Sequence, residues 1–524
     1  MSASTVLHEF IERQAKNRPR ADALLFRGQT LSYAALQERV EKWASVLTQR
    51  GVKSGDAYGI VTRNSPEFVI TFFALVRIGA RAVPVNFLLK ADEIAYIFSD
   101  ASVVGVITQP PFLGAVLEAR KQLPGLRDVV VTGDLPAGRQ DRREDVLSFN
   151  QLLGGALPAP LPPRASDPEE IAMIIYTSGT TGKPKGAMLT HRNFIANVEQ
   201  CLGRVALSNK DTFLCLLPMF HSFSWTVCVL IPLCLGSATV IIESIQPFGE
   251  VIKQILRHRV KIFVAVPPIY AALLRVPFWR PLKFINPLRL CIAGAAALPV
   301  PVHQAFEAKF GIPLMEGYGL TEASPVVCLN PEEKRVPGSI GKALPGIRLR
   351  IVDEAGQDVP PGGVGEICIQ GENVMKGYYH QDQATRDAFL DEAHQWLRSG
   401  DLGHIDADGY VTISDRKKDL IIVKGLNVYP KEVEDVLLSH AAVQDAAVIG
   451  LQDETGDELI LAYVTLKEGA QVDKQDLLKL CRKSLAPYKC PRDLEVRKEL
   501  PKNTLGKVLK RALRNEAAAA RRRA

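Results

Sequence analysis

Tyr176-Thr177-Ser178-Gly179-Thr180-Thr181-Gly182-Lys183-Pro184-Lys185-Gly186 follows directly on the apolar run Ile171-Ala172-Met173-Ile174-Ile175. A short apolar run that breaks into a loop rich in Gly and hydroxyls reads as a buried strand feeding a turn. Glycines let backbone amides approach an anion, hydroxyls add donors, and the two lysines add charge, which is how a protein holds a polyphosphate. The run is not a Walker A loop. That pattern needs Gly five residues before Gly182 and Ser or Thr after Lys183, where this chain has Thr177 and Pro184.

Working outward, helical and strand patterns alternate. Residues 31–50 are amphipathic and stop at Gly51; residues 57–62 read as a strand, 66–78 as a helix closed by Gly79, and 82–85 as a strand. That is a βαβ unit, and its repetition predicts a parallel sheet covered by helices. A Pro- and Ala-rich surface loop is expected over 154–168, and a second α/β region from 171 to about 329. Over 338–369 short strands with Gly and Pro turns predict a small β-subdomain. After a charged turn at 415–418, residues 430–439, 447–450, 459–466 and 474–485 read as a separate α+β domain.

Composition bounds the class. The chain has 524 residues, 47% apolar and 23% charged, which is globular rather than disordered. Its nine cysteines show no CxxC pair and no Cys/His run at zinc spacing, and Cys215, Cys228, Cys234 and Cys291 sit in apolar surroundings. Free thiols in a reducing cytoplasm are the expectation. The opening Met1-Ser2-Ala3-Ser4-Thr5 lacks a basic region, and Glu9 and Glu12 follow, so no secretory signal is expected. The net charge of +7 is uneven: from Gln471 onward 16 Lys and Arg face 6 Asp and Glu, a local excess of +10. Charge alone leaves nucleic acid, an anionic membrane and a small polyphosphate as partners. Residues 212–242 carry no Asp, Glu, Lys or Arg, longer than the roughly 20 apolar residues of a membrane span. Pro218, His221, Ser222, Ser224, Pro232 and Gly236 divide the stretch, which predicts a strand at 213–217, a core helix at 225–234 and a strand at 238–242.

Further motifs follow in order: Pro218-Met219-Phe220-His221, Gly317-Tyr318-Gly319-Leu320-Thr321-Glu322, Ser399-Gly400-Asp401, Asp415-Arg416-Lys417-Lys418-Asp419, Gly425, and Pro501-Lys502-Asn503-Thr504-Leu505-Gly506-Lys507. With the phosphate loop they resemble, over nearly the whole chain, the adenylate-forming superfamily of acyl-CoA synthetases, peptide-synthetase adenylation domains and beetle luciferases. The resemblance implies an α/β fold. A large N-terminal domain (1–414) of two helix-covered sheets plus a small β-subdomain would adenylate the acid, a hinge would lie at 415–418, and a mobile α+β C-terminal domain would span 419–524.

It also implies roles. Thr177, Ser178, Gly179, Thr180, Thr181, Gly182 and Lys185 would hold the β- and γ-phosphates of ATP. Tyr318 would stack on adenine between Gly317 and Gly319, with Gly294, Ala295 and Ala296 along the base and the carboxylate. Thr321 would bond the α-phosphate, and Glu322 would hold Mg²⁺, a hard cation that prefers carboxylate and phosphate oxygens. Asp401 would accept both ribose hydroxyls with Arg416 nearby. Lys507 would supply charge where the carboxylate attacks. Lys418 would be the hinge residue, and Gly425 would line the pantetheine channel with His221. His221, Phe223, Trp225, Val227, Gly294 and Ala323 would line the acyl pocket; His191 has no assigned role.

The implied reaction joins an acid to CoA through an acyl-adenylate, releasing AMP and pyrophosphate, with Mg²⁺ as cofactor and CoA as co-substrate. Small residues at Gly294-Ala295-Ala296-Ala297 and apolar Phe223, Trp225 and Val227 point to an aliphatic acid, and Tyr318 to Pro331 (YGLTEASPVVCLNP) looks like bacterial fatty acyl-CoA ligases. The alternatives are a coumarate-type aryl acid, or an enzyme that loads a carrier-protein thiol. The expected partners are the acid, ATP and CoA, with no nucleic acid, at most peripheral contact with the inner face of the membrane, and room for a homodimer.

Overall fold

The structure is a computed structural model that describes residues 5–133, 146–155, 161, 167–177, 183–245, 247–275, 286–423, 426–452, 458–503 and 506–523. It divides into two compact units. One comprises Met1–Pro337, Gly341–Arg348 and Gln370–Leu397; the other comprises Gly338–Ile340, Leu349–Ile369 and Arg398–Ala524.

In the first unit two large sheets carry the core. An eight-stranded sheet runs, in spatial order, through Gly377–Tyr378, Lys185–Thr190, Ile171–Thr177, Arg81–Pro84, Ala57–Val61, Val103–Thr108, Asp128–Val131 and Val146–Ser148. A nine-stranded sheet runs through Lys342–Ala343, Val326–Leu329, Leu314–Gly319, Leu290–Ala293, Ile262–Ala265, Phe213–Cys215, Thr239–Ile241, Asp22–Phe26 and Gln29–Ser32. The sheets are not two successive regions of chain. Asp22–Phe26 crosses to pair in parallel with Thr239–Ile241, and Ile171–Thr177 joins the first sheet beside Arg81–Pro84. Pairing between strands so distant in sequence leaves no local signal.

The local elements follow from the residues. Ser32 caps the Tyr33–Gln49 helix by accepting from the Ala35 N–H at 3.3 Å. The Pro66–Ile78 helix opens on Pro at its first position and stops at Gly79, whose φ of 77° suits a left-handed C-cap. That helix is buried almost all round, so its apolar residues show no stripe. The uncharged stretch folds as expected into pieces: strand Phe213–Cys215, helix Ser222–Trp225, a π-helical turn Thr226–Leu230, helix Ile231–Leu235 and strand Thr239–Ile241. Among the described residues no helix is long and apolar enough to cross a membrane.

The second unit contains a four-stranded sheet in the order Arg348–Val352, Gly365–Gln370, Leu397–Ile405, Val411–Arg416. A three-stranded sheet of Val443–Gln452, Glu458–Leu466 and Asp493–Arg497 follows. Helices Pro430–Leu438 and Lys474–Ser484 cover it through Val433, Leu437, Leu477 and Leu478, packed on Val448 and Val464.

One buried amide fixes the loop that leads to His221. The Asn64 side-chain nitrogen donates to the carbonyls of Leu217 (2.9 Å) and Ile242 (3.0 Å), and its oxygen accepts from the Met219 N–H (2.8 Å). Unpaired buried polar groups cost about 1–3 kcal/mol each, so Asn64→Ala should destabilise by about 2–5 kcal/mol. Asn64→Asp presents a carboxylate to two carbonyl oxygens, and only its protonated form can donate. Its pKa in the folded state therefore lies above the unfolded value of about 3.9, and the stability it retains at low pH is lost as pH rises. Denaturant midpoints at pH 5 and pH 8 should show the Asn64→Asp deficit widening at pH 8; a deficit that is flat or narrows contradicts the assignment.

Candidate active site

In open α/β sheets ligands settle beyond the carboxyl ends of parallel strands. In the nine-stranded sheet the strands ending at Cys215, Ala265, Ala293 and Gly319 run parallel. Three of the four lead into a stretch the sequence singles out: Pro218 to His221 after the first, Gly294 to Ala296 after the third, and Leu320 to Glu322 after the fourth. In the eight-stranded sheet Thr177 ends a strand parallel to Arg81–Pro84 and is the register partner of Lys185. Thr177 and Lys185 thus close the base of the hairpin whose loop is the quoted glycine run. Ser178, Gly179, Thr180, Thr181 and Gly182 lie outside the described residues, as does Gly425.

The hairpin is braced on both flanks. Tyr176 donates its hydroxyl to Asp100 at 2.5 Å, and Tyr96 donates to the Pro184 carbonyl at 3.2 Å, with the Lys183 ammonium 5.3 Å from the Tyr96 ring centre. Gly186 has no room for a side chain: a Cβ there would lie 2.8 Å from an Ile174 methyl and 3.0 Å from the Tyr176 ring.

Glu322 joins the two sheets. Its Oε1 accepts from the Thr177 hydroxyl at 3.2 Å and from the Tyr378 hydroxyl at 2.8 Å, and its carbonyl accepts from the Met375 N–H at 2.8 Å. Among the described residues no hydrogen bond falls on Oε2. A carboxylate oxygen at the base of this hairpin suits a hard cation such as Mg²⁺. Burial, and then the Glu322 carboxylate, push the Tyr378 phenol well above its ordinary range, so it remains a donor. Tyr378 was not legible as a site residue; its only signal is a glycine-preceded aromatic, Gly377-Tyr378-Tyr379.

Thr321 shares a contact of 3.4 Å between its hydroxyl and that of Ser222, the residue after His221. His221 precedes a short helix and lies against the Phe220 ring at 4.8 Å between centroids. Burial lowers its pKa to about 4, so it is neutral near pH 7. Gly294 faces Phe223 so closely that a Cβ would come within 2.8 Å of the ring. Ala295 follows with φ of 66°, a left-handed conformation that costs a non-glycine residue about 1–2 kcal/mol. Tyr318 is half-buried, opposite Cys328. Gly317 and Gly319 flank it, and a Cβ on Gly319 would collide with the Pro325 carbonyl at 2.0 Å.

The other expected pocket residues are more deeply placed. Trp225 is wholly buried, with ring centroids 5.2 Å from Phe68 and 4.5 Å from Phe72 of the Pro66–Ile78 helix. Val227 is buried in the π-helical turn, and Ala323 is buried with its carbonyl accepting from Asn373 at 2.7 Å. His191 is buried and accepts the Leu7 N–H on Nδ1 at 3.1 Å.

The second unit gathers its own charged cluster. Asp401 and Arg416 are cross-strand partners, with Asp401 buried and its Oδ1 3.0 Å from the Arg416 Nε. Lys507 lies in their field. Burial lowers it to about 8, helped by Arg416 and Lys418 and opposed by the carboxylates of Asp401 and Asp419. Its loop is tied by two hydrogen bonds, the Asn503 N–H donating to the Lys507 carbonyl at 2.9 Å and the Lys507 N–H donating to the Asn503 side-chain Oδ1 at 2.9 Å. Gly506 takes φ of 77° to make that turn. Burial first, and then Arg416, also lower Lys418. Asp419 accepts from Arg514 at 2.7 Å.

Comparison with known proteins gives this geometry a family. The AMP-binding enzyme family matches residues 11–379, and the AMP-binding enzyme C-terminal domain matches residues 432–507. The chain is 34% identical over 533 residues to a long-chain-fatty-acid–CoA ligase of Bacillus subtilis (strain 168), covering 97% of this chain and 94% of that protein. Among solved structures it is similar to the anthranilate CoA ligase AuaEII in complex with anthranoyl-AMP, with a TM-score of 0.90 and 30% identity over 99% of this chain and 98% of that one. It is also similar to the o-succinylbenzoate CoA synthetase of Bacillus subtilis in complex with ATP and magnesium ion, with a TM-score of 0.84 and 29% identity over 97% and 98% of the two chains. Matched over most of its length and aligned end to end with acid–CoA ligases, the chain belongs to the AMP-binding enzyme family and, within it, to the AMP-forming acyl- and aryl-CoA ligases.

Proposed function

We propose that this protein joins a medium- or long-chain fatty acid to coenzyme A, through an acyl-adenylate, with release of AMP and pyrophosphate. The observation that carries the reading is the Thr177–Glu322–Tyr378 junction, which sets a carboxylate at the base of the phosphate-loop hairpin. The fatty acid is favoured by the run of small residues Gly294 to Ala297, and by the likeness to a long-chain-fatty-acid ligase. The likeness to an anthranilate ligase keeps an aryl acid as the second reading.

In the first half-reaction the substrate carboxylate attacks the α-phosphorus of ATP, and the bond to the pyrophosphate oxygen breaks. The hairpin loop and Lys185 hold the departing phosphates, Thr321 bonds the α-phosphate, and Asp401 with Arg416 holds the ribose. Bound through Glu322, Mg²⁺ would neutralise charge on the phosphate oxygens. Protonated Lys507 meets the charge that develops as two anions come together. In the second half-reaction the CoA thiol attacks the acyl carbon, AMP leaves, and neutral His221 lines the meeting point. We assign the change between the two to rotation of residues 419–524 about Lys418 in the 415–418 hinge, which withdraws Lys507 and brings up Gly425.

AMP release dependent on CoA, measured across acids from acetate to oleate and a few aryl acids, tests the reading. Fatty acids of eight or more carbons should be the best substrates, since each buried methylene adds about 0.8 kcal/mol. A preference for aryl acids would select the second reading, and release of ADP and phosphate would refute the adenylate.

Separate assays of the two half-reactions test the rotation. Lys507→Ala should slow acid-dependent pyrophosphate exchange by about 100-fold or more, near 3 kcal/mol of transition-state stabilisation, yet make thioester from synthetic acyl-AMP within about tenfold of wild type. Gly425→Leu should do the reverse. Equal damage to both steps in either folded variant contradicts the proposal.

The Lys507 amine works protonated, so activity should be present below its pKa and lost above it. The kcat/KM for ATP reports the free enzyme and should fall as pH rises through about 8. Lys507→Arg stays charged throughout this range, because its pKa exceeds about 12, and should lack that alkaline limb even if slower. An unchanged limb in the arginine variant assigns the titration elsewhere.

A further inference from the structure

The Tyr378 hydroxyl touches a carboxylate, its ring touches a lysine ammonium, and both of those groups belong to the phosphate end of the site. Three observations fix the ring. The Gly377–Tyr378 strand pairs with Lys185–Thr190, Tyr378 opposite Ala187. The Tyr378 N–H donates to the Thr385 hydroxyl at 2.8 Å, and the neighbouring Tyr379 N–H donates to the Gly186 carbonyl at 2.8 Å. Gly377 has φ of 141°, and a Cβ there would come within 2.8 Å of the Thr385 methyl. The backbone therefore admits little freedom where the tyrosine leaves it.

The Glu322 carboxylate is the less determined partner. The last torsion of a glutamate is broad and roughly two-fold, so packing alone leaves its carboxylate free to swivel. Two hydroxyls converging on Oε1, from Thr177 at 3.2 Å and Tyr378 at 2.8 Å, remove that freedom and direct Oε2 elsewhere. On the ring face, the Lys185 ammonium lies 5.2 Å from the Tyr378 centroid, within cation–π range. A tyrosine that merely needed a partner for a buried hydroxyl could use a backbone carbonyl, as Tyr270 does with Phe263 and Ile292. Tyr378 uses the acidic residue at the foot of the phosphate loop and carries that loop's lysine on its face.

We propose that Tyr378 is a positioning residue, which orients the Glu322 carboxylate toward a nucleotide-bound divalent cation through its hydroxyl and seats Lys185 through its ring. The proposal rests on the adenylate-forming reading above. Tyr378→Phe removes the hydroxyl and keeps the platform; Tyr378→Leu removes both.

The test is equilibrium binding of ATP by calorimetry, without acid or CoA, in magnesium and again in EDTA. It is run on the full chain below the melting temperature of every variant. Wild type should bind ATP more tightly with magnesium. Tyr378→Phe should shrink that preference by about tenfold, the size expected for one hydrogen bond to a charged group, with metal-free affinity within twofold of wild type. Tyr378→Leu should weaken metal-free binding as well, by threefold or more. In a Glu322→Gln background, adding Tyr378→Phe should change the preference by less than twofold, because the group it orients is gone. A Tyr378→Phe preference equal to wild type, or an equal loss with and without magnesium, overturns the proposal and leaves the adenylate reading standing. A wild type indifferent to magnesium removes the parent reading, and this one with it.

Discussion

Two anions repel. At 4 Å and an effective dielectric near 20, two unit charges oppose one another by about 4 kcal/mol, and a carboxylate meeting a triphosphate faces several such terms. Any protein that makes an acyl-adenylate must first collect positive charge and directed donors, and hold them away from bulk water. In the first unit the Lys185 ammonium on the Tyr378 ring would supply such charge, and Glu322, accepting from two hydroxyls, would offer a carboxylate to a cation. In the second, Arg416, Lys418 and Lys507 are gathered near Asp401 and Asp419, and burial first, then Arg416, brings Lys507 down to about 8.

A lysine so depressed has been moved out of water among like charges, which destabilises the isolated unit. Such a cost persists where the surrounding structure holds it and a ligand relieves it. An incoming polyphosphate would raise the lysine again, so nucleotide binding and retention of its proton support each other. The cross-strand register of Asp401 with Arg416 and the tied loop from Asn503 to Lys507 keep the cluster assembled beforehand. Preorganisation of that kind spares reorganisation at the moment of reaction.

Much of this was legible from residues. The Pro66–Ile78 helix, the strand entering the glycine run and the division of the uncharged stretch 212–242 all rest on local periodicity, caps and breakers, and the structure has them there. What escaped depends on distant pairing. The exchange of strands between the two sheets joins Asp22–Phe26 to Thr239–Ile241, and no local pattern encodes a partner some two hundred residues away. Asn64 looks like a turn residue, yet it binds Leu217, Met219 and Ile242. Tyr378 follows Gly377 in a two-residue strand and carries no signal beyond that glycine; its approach to Glu322 is what marks it. Trp225, read as a pocket wall, packs against Phe68 and Phe72, because the helix carrying those rings is apolar on every side.

The central claim is that the acid's own carboxylate oxygen becomes bonded to the α-phosphorus of ATP. A single-turnover reaction with acid labelled with oxygen-18 in both carboxylate positions, in the presence of CoA, tests it directly by mass spectrometry of the nucleotide product. The account predicts one labelled oxygen in AMP and the other in the thioester carbonyl. Label in inorganic phosphate, or AMP free of label while thioester forms, would contradict it.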